Sequence, residues 1–159
     1  MRLFHGSYSN TAPVIKVGAY ALGTLDNVFD GVFASADAEI AGSHGGNVYA
    51  YTVASIADSS ILNERIEEVI TFLDSEVEAD YDTLDALASA IADDDCESWE
   101  QFESILAPRS CADAFAAVCW EMQRLRGRVA AHLGYDAVEM DDEHGTSYLI
   151  VNPSITAEE

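Results

Sequence analysis

Extended and helical patterning are segregated along this chain: β-forming runs occupy its two ends, and apolar residues at helical spacing fill its middle. Strands contributed by both ends can bury an apolar face only by meeting across the helical stretch, which points to an α+β domain with a mostly antiparallel sheet. At the N-terminal end, residues 3–5 form a short strand, residues 28–35 are rich in β-formers, and NVYAYTVA at 47–54 alternates. A small-residue helix is expected over 37–42, and residues 8–27 are irregular, punctuated by Pro13, Gly18 and Gly23. At the other end, strands at 137–140 and 147–151 flank an acidic loop at 141–146, and Asn152-Pro153 stops the second.

The helical middle runs over about residues 61–133. Leu62, Ile66, Val69, Ile70 and Leu73 mark one face of a first helix. Leu84, Leu87, Ala88 and Ile91 mark a second, after a Thr83 cap. Ser98 and Gln101 form a capping-box pattern ahead of Trp99, Phe102, Ile105 and Leu106. The longest helix covers 112–133, with Phe115, Val118, Met122, Leu125 and Val129 inward, and Gly134 ends it.

No repeat or linker divides the chain, so residues 1–159 read as a single domain. Seven Lys and Arg against 29 Asp and Glu give a formal net charge of -22. A broad nucleic-acid-binding face is excluded, because phosphate binding needs a basic footprint. The charge fits a basic protein partner, and equally a soluble protein of an acidic proteome. No apolar run reaches the length of a membrane span and no signal-peptide core is present, so a cytoplasmic protein is expected. Cys96, Cys111 and Cys119 are odd in number and lack metal-ligand spacing, which reads as small residues kept reduced.

Three stretches can carry chemistry. In LFHGS, Gly6 follows a strand histidine and leaves backbone open to close approach; a planar amide could bond both its N–H and its C=O. His5 and Ser7 would add polar groups on either side. In DGVFASADAEIAGSHGG, a strand turns into a small-residue helix that ends at His44, whose ring could stack on a planar ligand. In EMDDEHGTSYLIVNP, Asp141, Asp142 and Glu143 crowd a short connection, from which one carboxylate could stabilise a developing sugar cation. Each stretch also has a plain structural reading: a half-buried strand histidine, a packed strand–helix corner and a solvated turn. Asp142, Glu143 and His144 are adjacent and their side chains diverge, so no metal site is expected. In RLRGR, Arg124 and Arg128 share a helix face, either for salt bridges to the abundant acids or for a diphosphate or partner.

Taken in order, these stretches resemble the ADP-ribosyltransferase fold. LFHGS is similar to the first-strand His-Gly-Ser of the histidine-tyrosine-glutamate branch. GVFASADAEIAGSHG resembles that branch's strand running into a small-residue helix, and SYLIVNPSI its last-motif strand. A closer similarity is to small phage-type ADP-ribosyltransferases, among them anti-CRISPR inhibitors of type I-F systems. It is carried by His5, Phe33-Ala34, Ala41-Gly42-Ser43-His44 and the run from Asp142 to Tyr148.

The resemblance implies a split antiparallel sheet with an inserted helical segment, and NAD bound in the cleft between the sheet halves. Its nicotinamide amide would lie on Gly6, with His5 and Ser7 on ribose hydroxyls and Phe33 and His44 flanking the ring; Ser35 and Tyr148 complete the implied cofactor-binding set. Asp142 or Glu143 would stabilise the cationic ribose, with His5 beside them in the catalytic set. Two positions depart from the family pattern: His44 stands near the place of the stacking tyrosine, and Ser147 begins the strand where a catalytic glutamate is usual. The implied function is NAD-dependent ADP-ribosylation of a basic subunit of a type I CRISPR surveillance complex, within the host bacterial cytoplasm. The alternatives are a non-enzymatic acidic mimic of DNA and an NAD glycohydrolase toxin.

Overall fold

The computed structural model describes residues 1–18, 29–109, 113–142 and 145–158. Strand β1 (Arg2–Ser7) pairs antiparallel with β3 (Asn47–Thr52), setting Leu3 opposite Tyr51; both are fully buried. The second sheet has the order β2-β6-β5-β4, built from β2 (Val32–Ala34), β6 (Gly145–Ile150), β5 (Ala137–Asp142) and β4 (Ile56–Ala57). Its pairs are antiparallel except β4 with β5, which is parallel. The two sheets are stitched by one pair of residues: Phe4 and Ser35 exchange both backbone hydrogen bonds at 2.8 Å. The result is the α+β split-sheet architecture that the patterning and the resemblance implied.

Between the strands lie the helices. Helix α1 (Ala38–Ser43) starts at Asp37, whose carboxylate accepts from Glu39 N–H at 2.8 Å. The single helix expected through Leu62 and Leu73 is two: α2 (Ser59–Glu64) and α3 (Ile66–Asp74), broken at Arg65, whose φ of -113° leaves the helical range. Apolar spacing could not reveal the break, because Leu62, Val69, Ile70 and Leu73 all remain buried across it. Helix α4 (Tyr81–Asp93) is capped by Asp80, which accepts from Thr83 N–H at 2.8 Å; Thr83 lies within the first turn and is not the cap. Ser98 makes no capping bond, and a 3-10 turn at Trp99–Gln101 leads into the short α5 (Glu103–Leu106).

The long helix α6 (Ala114–His132), capped by Asp113, begins two residues inside the expected range. Val118, Met122, Leu125 and Val129 are buried as expected, but Phe115 is 51% exposed and stacks edge-on against Trp99. At its end Gly134 adopts φ +89°, and Gly134 and Tyr135 N–H bond back to the carbonyls of Ala131 and Ala130 at 3.1 and 3.0 Å. Cys96 is half-buried and Cys119 buried, and burial pushes both thiols up; Cys111 lies outside the described residues.

The arginines of RLRGR are spent inside the protein. Asp30, fully buried just before β2, accepts from Arg124 at 3.2 Å and faces Arg128 at 3.4 Å. Burial pushes the Asp30 carboxyl up, against the opposing pull of these two guanidiniums. Arg124 also binds Glu121, which holds Arg109, and Arg128 binds Glu76. Arg126 is 2% exposed and gives its donors to carbonyls instead. With Arg2 on Glu158 and Arg65 on Glu68, all six arginines are engaged within the chain. The salt-bridge reading of this cluster therefore holds, and the outward-facing acids are left largely unopposed.

Candidate active site

The seam between the sheets makes the site. The Phe4–Ser35 pair starts an antiparallel ladder whose next bonded pair would be Gly6 with Phe33. That pair does not form. His5 Nδ1 instead donates to the carbonyl oxygen of Phe33 at 2.6 Å, so the strands part. Backbone groups two residues apart on a strand point the same way, so Gly6 N–H and C=O follow those of Phe4 and face the opening. With Nδ1 donating, the neutral imidazole keeps its lone pair on Nε2.

A cavity of about 280 Å³ occupies this opening. It brings together six of the residues singled out in the sequence: His5, Gly6, Phe33, Ser35, His44 and Asp142. Helix α1 forms one wall through Ile40 and Ala41, and β6 contributes Thr146 and Ser147. Ser147 stands where the resemblance placed the usual catalytic glutamate; Ile40, Ala41 and Thr146 were not expected as lining, although Ile40 and Ala41 sit in the small-residue helix expected beside the sheet. The closeness of that helix rests on Gly6. A Cβ at position 6 would lie 1.8 Å from the Ala41 carbonyl oxygen. Gly6 is thus needed for packing whether or not its backbone binds a ligand.

The acidic segment differs from the expected loop. Asp141 pairs with Thr146 and Asp142 with Gly145, so both strands run on into the stretch expected as a loop over 141–146. Asp142 ends β5 at the rim of the cavity. Its neighbour Asp141 is tied to the helical layer: Asp141 N–H donates to Asp94 at 2.7 Å. Burial pushes the Asp94 carboxyl up, opposed by that bond and by nearby Arg126. Glu143 and His144 lie outside the described residues. Ser147 is buried, with its hydroxyl 3.4 Å from the Met140 carbonyl.

Two expected residues are not among the cavity's lining. Ser7 Oγ accepts from Ser9 N–H at 3.1 Å and shapes the turn that follows β1. Tyr148 is buried in the core cluster with Leu3, Val32 and Tyr51, where desolvation pushes its phenol up. None of the arginines lines the cavity. Chemically, the lining offers a peptide edge for a flat amide, an aromatic wall, two imidazoles and one rim carboxylate.

Over residues 1–158 the chain matches the family described as Anti-CRISPR Type I-F ADP-ribosyltransferase AcrIF11. Among solved structures, a crystal structure of an anti-CRISPR protein is similar at 32% identity with a TM-score of 0.65, covering 99% of this chain and 93% of that one. No curated protein matches.

Proposed function

The chain belongs to the family of anti-CRISPR type I-F ADP-ribosyltransferases, and from that membership we propose that the seam cavity binds NAD and transfers its ADP-ribose to a subunit of a type I CRISPR surveillance complex. The carrying observation is the Gly6 peptide edge, opened by the His5–Phe33 bond and lining one cavity with Asp142. The cavity's volume, about 280 Å³, lies just under the range that holds drug-sized ligands (roughly 300–1,000 Å³), so it suits the nicotinamide end of the dinucleotide.

Bound NAD supplies a C–N glycosidic bond that breaks with its electron pair going to nicotinamide, while positive charge develops on the ribose. Gly6 N–H and C=O hold the carboxamide. Phe33 and His44 border the ring, and Ser35 and His5 present polar groups toward the sugar. Asp142 at the rim, together with Glu143, stabilises the developing charge. Ser7 and Tyr148, outside the lining, act on NAD only through the turn and the core that support the site. The acceptor is a side chain of the target, which attacks the ribose and gives up a proton. The target is basic: the arginines are engaged internally, and an acidic surface steers the enzyme toward positive potential. Both NAD and such a target are found in the bacterial cytoplasm.

The test is labelled NAD with purified surveillance complex, read by intact mass. The expected result is one subunit gaining ADP-ribose at enzyme levels well below stoichiometry. Asp142→Ala combined with Glu143→Ala should slow transfer by roughly a hundredfold or more, the effect of losing one preorganised electrostatic contact. Near wild-type turnover in that double variant rules the mechanism out. The acidic surface also favours a second reading, a stoichiometric mimic of DNA, which would inhibit one to one without NAD and weaken as salt rises.

A further inference from the structure

We propose that Asp94 is a positioning residue for Asp142: together with Arg126 it fixes the outer edge of β5 and so sets where the rim carboxylate stands. The proposal rests on the reading of Asp142 given above.

The outer edge of β5 is only half covered by a strand. β4 pairs with Ala137 and Val138 and then ends. Beyond it, the edge groups are the carbonyl of Glu139 and the N–H of Asp141, two residues apart and facing the same way. Side chains from the helical layer take both. Arg126 Nε donates to Glu139 O at 2.9 Å, and Asp94 Oδ2 accepts from Asp141 N–H at 2.7 Å. These two side chains stand where a longer β4 would have run.

The clamp is rigid for a reason visible in the same residues. The buried guanidinium of Arg126 also donates to Ile91 O and Ala92 O, both at 2.7 Å, and to Ser59 Oγ at 3.2 Å. It therefore grips the last turn of α4 and the strand at once. Asp94 follows that turn in the left-handed conformation, φ 57° and ψ 39°, with its own N–H returned to the helix. The helix end thus aims the carboxylate at Asp141, one peptide before Asp142. Without that bond, the clamp on this edge of β5 reaches only to Glu139, where Arg126 still holds the carbonyl.

The test is a double-mutant cycle on nicotinamide release from NAD, with kcat and KM measured separately. Asp94→Gly removes the acceptor while suiting the positive φ, so folding is preserved; a melting curve confirms this. Asp94→Asn is the rescue, since an amide oxygen accepts the same bond and Asn tolerates the left-handed region. Asp94→Gly should lower kcat about tenfold or more with little change in KM, as misplaced reacting groups do. Asp94→Asn should recover most of that loss. In an Asp142→Asn background, Asp94→Gly should add no further loss, because its effect passes through the missing carboxylate. If the two losses instead multiply, or Asn fails to rescue, Asp94 is merely structural and the proposal falls alone. If Asp142→Asn turns over NAD at the wild-type rate, the reading of Asp142 falls and the proposal with it.

Discussion

His5 Nδ1 lies 2.6 Å from the carbonyl oxygen of Phe33, in the place where the next backbone bond of a continuous sheet would form. A side chain thereby ends one ladder and opens the peptide edge of Gly6. The contact holds the seam together and, in the proposed function, exposes the edge that binds the carboxamide.

Replacing His5 with Ala removes the donor from a half-buried carbonyl. An unsatisfied buried acceptor costs about 1–3 kcal/mol, so the unfolding free energy from urea titration should fall by that amount and the midpoint with it, with NAD turnover lost as well. An unchanged midpoint would mean that water satisfies Phe33 as well as the imidazole does.

Gly6→Ala should cost a similar amount, although it adds only one carbon. The new Cβ meets the Ala41 carbonyl oxygen at 1.8 Å, and that atom is backbone and cannot rotate away. Helix α1 must shift off β1, at a cost of about 1–3 kcal/mol for overpacking, and the cavity wall moves with it. Urea unfolding, paired with calorimetric titration of NAD, should show stability and affinity falling together.

Asp30→Ala should destabilise by about 3–5 kcal/mol, because it leaves Arg124 and Arg128 partly buried without their shared anion. Chemical denaturation measures this directly. A loss below about 1 kcal/mol would show that both guanidiniums reach water once the carboxylate is gone.

Acid should weaken the fold through Asp136. Burial alone would raise its pKa. Bonds from Asn152, Ala54 N–H and Ser55 N–H, at 2.7 to 3.1 Å, outweigh that and hold it below the ordinary value. The folded pKa is thus depressed. Its contribution is complete above the unfolded value of about 3.9 and is lost as pH falls through the folded one. Asp136→Asn should flatten the acid limb of a stability–pH curve below about pH 4 and leave its slope near neutrality unchanged.

The patterning revealed the architecture because its strands and long helices carry complete periods. It missed β4, whose two residues hold no period at all. It also missed the break at Arg65, where the apolar face runs on across both helices. Asp80 was hidden as a cap because Thr83, three residues later, is an equally good capping residue. Around the cavity, His5, Gly6, Phe33 and His44 stood out because they fall in the two short stretches, LFHGS and GVFASADAEIAGSHG, that carry the resemblance. Ser7 and Tyr148 sit beside such residues in sequence, yet one closes a turn and the other enters the core. The role of Asp94 was out of reach of sequence, since its partner Asp141 is 47 residues away.

The ion pairs running from Glu76 through Arg128, Asp30, Arg124 and Glu121 to Arg109 join the turn after α3, α6, the approach to β2 and the segment after α5. Lifting α6 from the sheet would strand a buried anion and two cations at once. The helical insert therefore has no cheap way to open by itself. Amide protons in α6 and β2 should exchange in a single cooperative event at the global unfolding free energy.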